Sequence, residues 1–216
     1  MPAKTGQRVG KGRQNPLAAP RRRRPKQQRS IETVEQILDA AVRVMERGGF
    51  EGFNMKAVSD EAGLNVATLY SYFANKHQLL AQLARTQMNA RLDMLRQAFG
   101  QISGPENWID TVCDSIIELS ALREQQSGSA ALRRALHASP DLWEIDQEGN
   151  RAAAKMIGEL LQKHSYPPCK EPELRGRLIA EYVTAALDML AQHPNDKRAI
   201  IMEELATILR FHLAMR

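Results

Sequence analysis

The chain has 216 residues and is 43% hydrophobic, enough for one or two modest domains with a buried core. It carries no apolar run of about 18 residues, which argues against a transmembrane span. Its formal charge of +5 is uneven: ten Lys and Arg and no acid fall in residues 1–30, so the remainder sums to −5. That basic start lacks a following apolar segment and does not read as a secretory signal. Cys113 and Cys169 lie far apart, as suits a reduced, cytoplasmic protein.

Residues 1–29 are rich in Gly, Pro, Gln and Arg and poor in large apolar residues, so a disordered basic arm is expected there. Within it, Arg21, Arg22, Arg23 and Arg24 could follow DNA phosphates or enter a minor groove. A first helix is expected over 30–47, with Thr33 and Gln36 at capping-box spacing. Val34, Ile37, Leu38, Ala41, Val42 and Met45 form its inward stripe, Gly48 and Gly49 end it, and Phe50 and Phe53 plug its base.

The stretch 54–76, NMKAVSDEAGLNVATLYSYFANK, reads as two short helices joined by a tight turn. Asn54 can cap the first, whose Met55, Val58 and Ala62 recur at helical spacing. Gly63 stands where the chain must turn, and Asn65 can cap a second helix over 66–73. Val66, Leu69 and Phe73 can face inward, leaving Ala67, Thr68, Tyr70, Ser71 and Tyr72 mostly outward. Small residues, hydroxyls and tyrosines replace the Lys and Glu of an ordinary solvated face, a composition that suits a helix seated in a DNA major groove. A half-buried hairpin in a core is the competing reading of the same spacing.

Further along, a long helix begins after Asn75, with Leu80, Leu83, Ala84, Met88, Leu92, Leu95 and Phe99 inward. Lys76 in its first turn opposes the helix dipole unless a phosphate docks there. Helices are then expected over 108–122, 130–138, 140–163, 173–192 and 196–214, with a kink or weak packing possible in the polar stretch 147–155. The class is all-α, with about nine helices. The last two are apolar over a wide arc, and one arc is best buried against a second copy of the chain.

The run AGLNVATLYSYFANK is similar to the signature of TetR-type transcriptional regulators, through Ala62, Gly63, Thr68, Leu69, Tyr70, Tyr72, Phe73 and Lys76. The resemblance extends over about 29–90. It implies a helix-turn-helix DNA-binding domain at 30–90 (motif about 53–73) and a helical ligand-binding and dimerisation domain at 91–216. It also implies a homodimer through about 173–214, a double-stranded operator as partner, and a small effector that releases DNA. Thr68, Tyr70, Ser71 and Tyr72 are the candidates for groove and phosphate contacts, with Ala67 allowing close approach. Asn65, Lys56 and Lys76 would hold the backbone, and Asn54 and Val66 complete the candidate set. Asn65 and Ala67 depart from the family's commoner Ser and Gly.

Trp108, Cys113, Ile116, His137, Trp143, Met156, Tyr182 and Met189 could line an adaptable apolar cavity, though they would equally serve an ordinary core. His77, His137, His164, His193 and His212 show no metal-ligand spacing, and no phosphate loop or catalytic set stands out. No metal, cofactor, catalytic residue or membrane partner is therefore expected. The most favoured function is a repressor relieved by a small, lipophilic ligand. An activator or ligand-independent regulator with the same head stays open, as does a helical scaffold or enzyme whose basic tail grips polyanions.

Overall fold

A computed structural model describes residues 26–126, 128–137, 139–190, 192–193 and 195–214. The expected basic arm, with Arg21, Arg22, Arg23 and Arg24, lies outside them. Nine helices and no strand occur among the described residues: α1 (Lys26–Gly52), α2 (Met55–Ala62), α3 (Val66–Tyr72), α4 (Lys76–Gly100), α5 (Trp108–Gln125), α6 (Ser129–His137), α7 (Pro140–His164), α8 (Pro172–Leu190) and α9 (Asn195–Ala214).

The first helix departs from expectation at both ends. It starts by Lys26, so Thr33 and Gln36 sit inside it and form no capping box. Thr33 Oγ1 instead donates to the Arg29 carbonyl at 2.8 Å, and Gln36 Nε2 donates across to the Ala62 carbonyl at 2.7 Å. The break falls at Gly49, whose φ of 58° and ψ of −160° suit a residue without Cβ, and one further turn follows to Gly52. Ala40 and Val44 join the buried stripe, while Val34 and Val42 are only half-buried.

Two apolar clusters organise the chain. The first gathers Ile37, Met45, Phe53, Val58, Leu69, Leu79 and Leu80 from α1–α4 and the α1–α2 connection. It also takes Leu132 and Leu136 of α6 and Leu142 and Ile145 of α7, so residues far along the chain complete the N-terminal core. The second cluster draws on α5, the latter half of α7, α8 and α9, with Trp108, Ile116, Leu161, Ile179, Leu209 and Leu213. Helix α4 runs unbroken through residue 90 and bears on both.

The polar middle of α7 is a seam and not a kink. Arg177 Nη2 donates to Gln147 Oε1 at 2.9 Å, and Thr184 Oγ1 donates to Asn150 Oδ1 at 3.1 Å, tying α8 to α7. Gly158 and Gly176 let the two backbones meet: a Cβ at Gly176 would lie 2.4 Å from the Ala154 carbonyl oxygen and 2.8 Å from Gly158 N. Alanine there gains about 1 kcal/mol of helix propensity. The clash is with backbone that cannot swing aside, and overpacking of that kind costs about 1–3 kcal/mol or more. Gly176→Ala is therefore expected to lower the melting temperature by several degrees in a thermal unfolding scan, at about 2–4 °C per kcal/mol for a chain of this length.

Candidate nucleic-acid interface and interior cavity

Glu61 fastens α2 to α1. It accepts from Arg43 Nε at 2.6 Å and from Arg47 Nη2, and these two guanidiniums hold its carboxyl below the usual carboxylate range. Asn54 Oδ1 accepts the Ala57 amide at 2.9 Å and so caps α2. At its other end Gly63 adopts φ 63°, ψ 29°, and the Gly63 and Leu64 amides close on the Asp60 and Ser59 carbonyls. Asn65 Oδ1 then accepts the Ala67 amide at 2.8 Å and starts α3. The capping roles of Asn54, Gly63 and Asn65 are as the sequence implies.

Helix α3 is pinned by Leu69, fully buried, and by Phe73 just past its end. Its outer face carries Ala67, Ser71 and Tyr70, the last 50% exposed. Val66 corrects the expectation of an inward residue: it is 40% exposed, because α3 spans only two turns and Leu69 and Phe73 already fill its contact with the core. Tyr72 and Thr68 are half-buried, with Tyr72 packed on the first cluster and so less outward than expected. Ser71 Oγ donates to the Thr68 carbonyl at 2.6 Å, which leaves that oxygen as an acceptor.

The two lysines of the candidate set have partners within the chain. Lys56 Nζ sits 2.8 Å from Asp60 Oδ2 on the exposed face of α2. Lys76 Nζ lies 4.8 Å from the centre of the Phe50 ring, so its charge rests on an aromatic face beside the first turn of α4. Asn75 caps that helix by accepting the Gln78 amide at 2.9 Å, and Gln78 Oε1 reaches back to the Ala74 amide at 3.0 Å.

A mainly apolar cavity of about 70 Å³ lies between α4, α5, α7 and α8. Of the eight residues expected to line a pocket, only Ile116 does so. Trp108 is 3% exposed and stacks on His164 within the second cluster. Cys113 is buried in that cluster too, where desolvation raises its thiol pKa. Trp143 is 39% exposed and meets His137 edge-on at 4.5 Å. Tyr182 and Met189 lie on the exposed side of α8, and Met156 is half-buried away from the cavity.

The cavity wall is instead Met88, Leu92, Leu95 and Phe99 of α4, Ile116 and Leu119 of α5, Ile157 of α7 and Val183 of α8, with Arg91, Arg123, Asp146, Asn150 and Thr184 among its polar members. Arg91 and Arg123 were legible in principle. Arg91 falls four residues before Leu95 and eight before Phe99, and Arg123 four after Leu119: charges set in apolar stripes. A second, more polar cleft of about 570 Å³ is also lined by Arg123 and is bordered by Glu46, Gly49, Glu124, Arg133, Asp188 and Arg198. Among the described residues no group of three or more His, Cys, Asp or Glu could hold a metal, and no helix is long and apolar enough to cross a membrane.

Residues 37–83 match the model for bacterial regulatory proteins of the tetR family, and residues 105–213 match that for the tetracyclin repressor-like C-terminal domain. Among curated proteins, the chain is 40% identical over 62 residues to the HTH-type transcriptional repressor KstR of Mycobacterium tuberculosis, covering 27% of this chain and 28% of that one. It is 31% identical over 62 residues to the fatty acid metabolism regulator protein of Bacillus subtilis, covering 29% and 32%. The chain thus spans only about a quarter to a third of these relatives in sequence. The whole fold is similar to that of a putative transcriptional regulator from Pseudomonas aeruginosa, with TM-score 0.69 at 14% identity over 85% of this chain and 93% of the other. It is also similar to FadR from Bacillus subtilis, solved in complex with stearoyl-CoA, with TM-score 0.67 at 18% identity over 83% and 97%.

Proposed function

The chain belongs to the tetR family of bacterial regulatory proteins, and from that premise we propose that it is a sequence-specific, DNA-binding transcriptional regulator. In this reading it is a cytoplasmic homodimeric repressor that a small ligand releases from a near-palindromic operator. The observation that carries it is the face of α3. Leu69 and Phe73 fix the helix to the core, while Ala67, Tyr70 and Ser71 stand outside it with no Lys or Glu among them. Such a face can enter a major groove, and Tyr70 reaches furthest from it. The curated relatives include HTH-type transcriptional repressors.

The division we infer is an arm at 1–29, a reading head at 30–90 and a ligand-binding and dimerising body at 91–216. Two such heads, related by a two-fold axis, would meet half-sites about one helical turn apart. The pairing surface we assign is the apolar row left in solvent on α8 and α9: Leu174, Leu178, Tyr182 and Met189, with Ile200, Ile208 and Phe211. The ligand site we assign is the cavity beside α4, because α4 begins at the reading head and reaches the body. Ligand binding shifts the DNA equilibrium only if it favours one spacing of the heads.

Within the head, Lys56 and Lys76 must exchange Asp60 and the Phe50 ring for phosphates when DNA arrives. Both present partners are exposed or half-exposed, so the exchange costs little. Tyr70→Ala is expected to weaken operator binding by about 1–3 kcal/mol, the scale of one good contact, with an unchanged melting temperature. Fluorescence anisotropy on operator DNA reads this. Wild-type affinity in the folded variant would remove Tyr70 from the interface.

A further inference from the structure

Charged groups interrupt the apolar lining of the interior cavity. On α4, Arg91 stands between Ala84 and Met88 on one side and Leu95 and Phe99 on the other, and on α5 the lining runs from Arg123 to Leu119 to Ile116. On α7, Asp146 and Asn150 lie between Ile145 and Ile157. The longer apolar run leads from Arg91 toward Phe99. Eight residues of helix separate Arg91 from Phe99, or about 12 Å.

The charged lining holds more positive than negative charge, Arg91 and Arg123 against Asp146. Arg133 binds Asp146 at 2.9 Å and Asp188 at 2.7 Å, and Arg123 shares Asp188 at 3.2 Å. Arg91 is the third guanidinium. Its Nε donates to the Gln87 carbonyl at 3.1 Å, and it forms no ion pair among the described residues. Both carboxylates, Asp146 and Asp188, are thus already held by Arg133. Asp146 is the carboxylate that lines the cavity, and its Oδ2 is buried without a partner; the Arg133 bond to Oδ1 offsets its repulsion of an anion. Burial, with the nearby Arg133 charge, pushes Arg91 down to about 10 and Arg123 to about 9. A buried cation without an ion pair of its own is costly even with Asp146 and Asp188 nearby, and a carboxylate brought by a ligand would relieve it with charge-assisted hydrogen bonds.

We propose that the effector is an amphipathic carboxylic acid with a single apolar chain, its carboxylate on Arg91 and its chain along Leu95, Phe99, Ile116 and Ile157. This rests on the ligand-released reading above and narrows it from lipophilic to anionic. The free space of about 70 Å³ is room for roughly five waters at about 10–15 Å³ each. An acid whose chain outgrows that space parts α4 from α7. Met88, whose side chain sits where a Cβ on Gly149 would fall, is the flexible group that can yield. Parting these helices moves α4, which carries the change toward the head.

The test uses the full-length protein, with decanoate below its micellar concentration and decanol as the neutral match. Calorimetric titration is run on wild type, Arg91→Gln, Arg91→Lys and the cavity-filling Leu95→Trp, and operator release is followed separately for each ligand. Wild type should bind decanoate at least tenfold more tightly than decanol. Arg91→Gln should erase that preference, Arg91→Lys should keep most of it, and Leu95→Trp should weaken both ligands. Equal binding of acid and alcohol by wild type, binding of neither, or a preference that survives in folded Arg91→Gln would overturn the proposal. Decanoate binding that depends on Arg91 but leaves the operator complex intact would uphold the site and refute ligand release.

Discussion

Aspartate at both Leu178 and Phe211 is expected to leave a folded monomer whose operator affinity has fallen on the order of a thousandfold, toward the non-specific level. Leu178 is 44% exposed on α8 and Phe211 63% exposed on α9, so neither is needed to close the protein's own core. Substitution at such positions ordinarily changes stability by within about 0.5 kcal/mol. In a two-fold interface each change occurs twice, and four carboxylates would have to be desolvated against apolar neighbours. A monomer binds each half-site separately and loses the effective concentration that tethering provides. Light scattering after size exclusion reads the mass, and anisotropy reads the affinity. A variant that remains dimeric at micromolar concentration would move the interface away from α8 and α9.

Arg133→Met is expected to cost about 3 kcal/mol of stability, the lower end for breaking a buried pair. Arg133 holds Asp146 and Asp188 together, and its own side chain is only 14% exposed, that of Asp146 9%. Those bonds join α6 to α7 and α8, and α6 contributes Leu132 and Leu136 to the head's core. Once the guanidinium is gone, Asp188 keeps Arg123, but Asp146 is left without an ion partner among the described residues. The lower end of the range applies because one of the two acids is still served. At about 2–4 °C per kcal/mol the melting temperature should drop by about 6–12 °C. Adding Asp146→Leu should recover most of the loss, since replacing both partners removes the orphaned charge. A single variant that melts with wild type would show the network to be dispensable.

The head was legible because its signals are local. Asn54 and Asn65 cap, Gly63 turns, and Leu69 and Phe73 anchor, each within a few residues of the backbone group it serves. Val66 was misplaced because a two-turn helix presents too few residues for a stripe to define its contact angle. Helix at Lys26, ahead of the expected start at Ser30, was missed because Ser30 and Thr33 look like caps but lie inside α1.

The cavity was not legible from residue type. Trp108, Trp143, Tyr182 and Met189 are large and adaptable, but periodicity says only that a face is apolar. It does not say whether that face meets a neighbour, solvent or a gap. Trp108 meets the core, and the other three meet solvent. The informative residues were the charged ones inside apolar stripes, Arg91 and Arg123. An arginine at such a position must be paired or must await a partner.

In the proposed reading, α3 reads base sequence for a dimer. Selection of bound DNA from a random-sequence library by the full chain, at ~0.15 M salt to suppress phosphate-only binding, addresses it most directly. The expected result is enrichment of a near-palindrome with half-sites about one turn apart, lost in Tyr70→Ala and kept, with weaker affinity, when residues 1–28 are removed. Binding without enrichment, abolished by removal of residues 1–28 alone, would contradict it and leave a helical protein whose basic arm grips any polyanion.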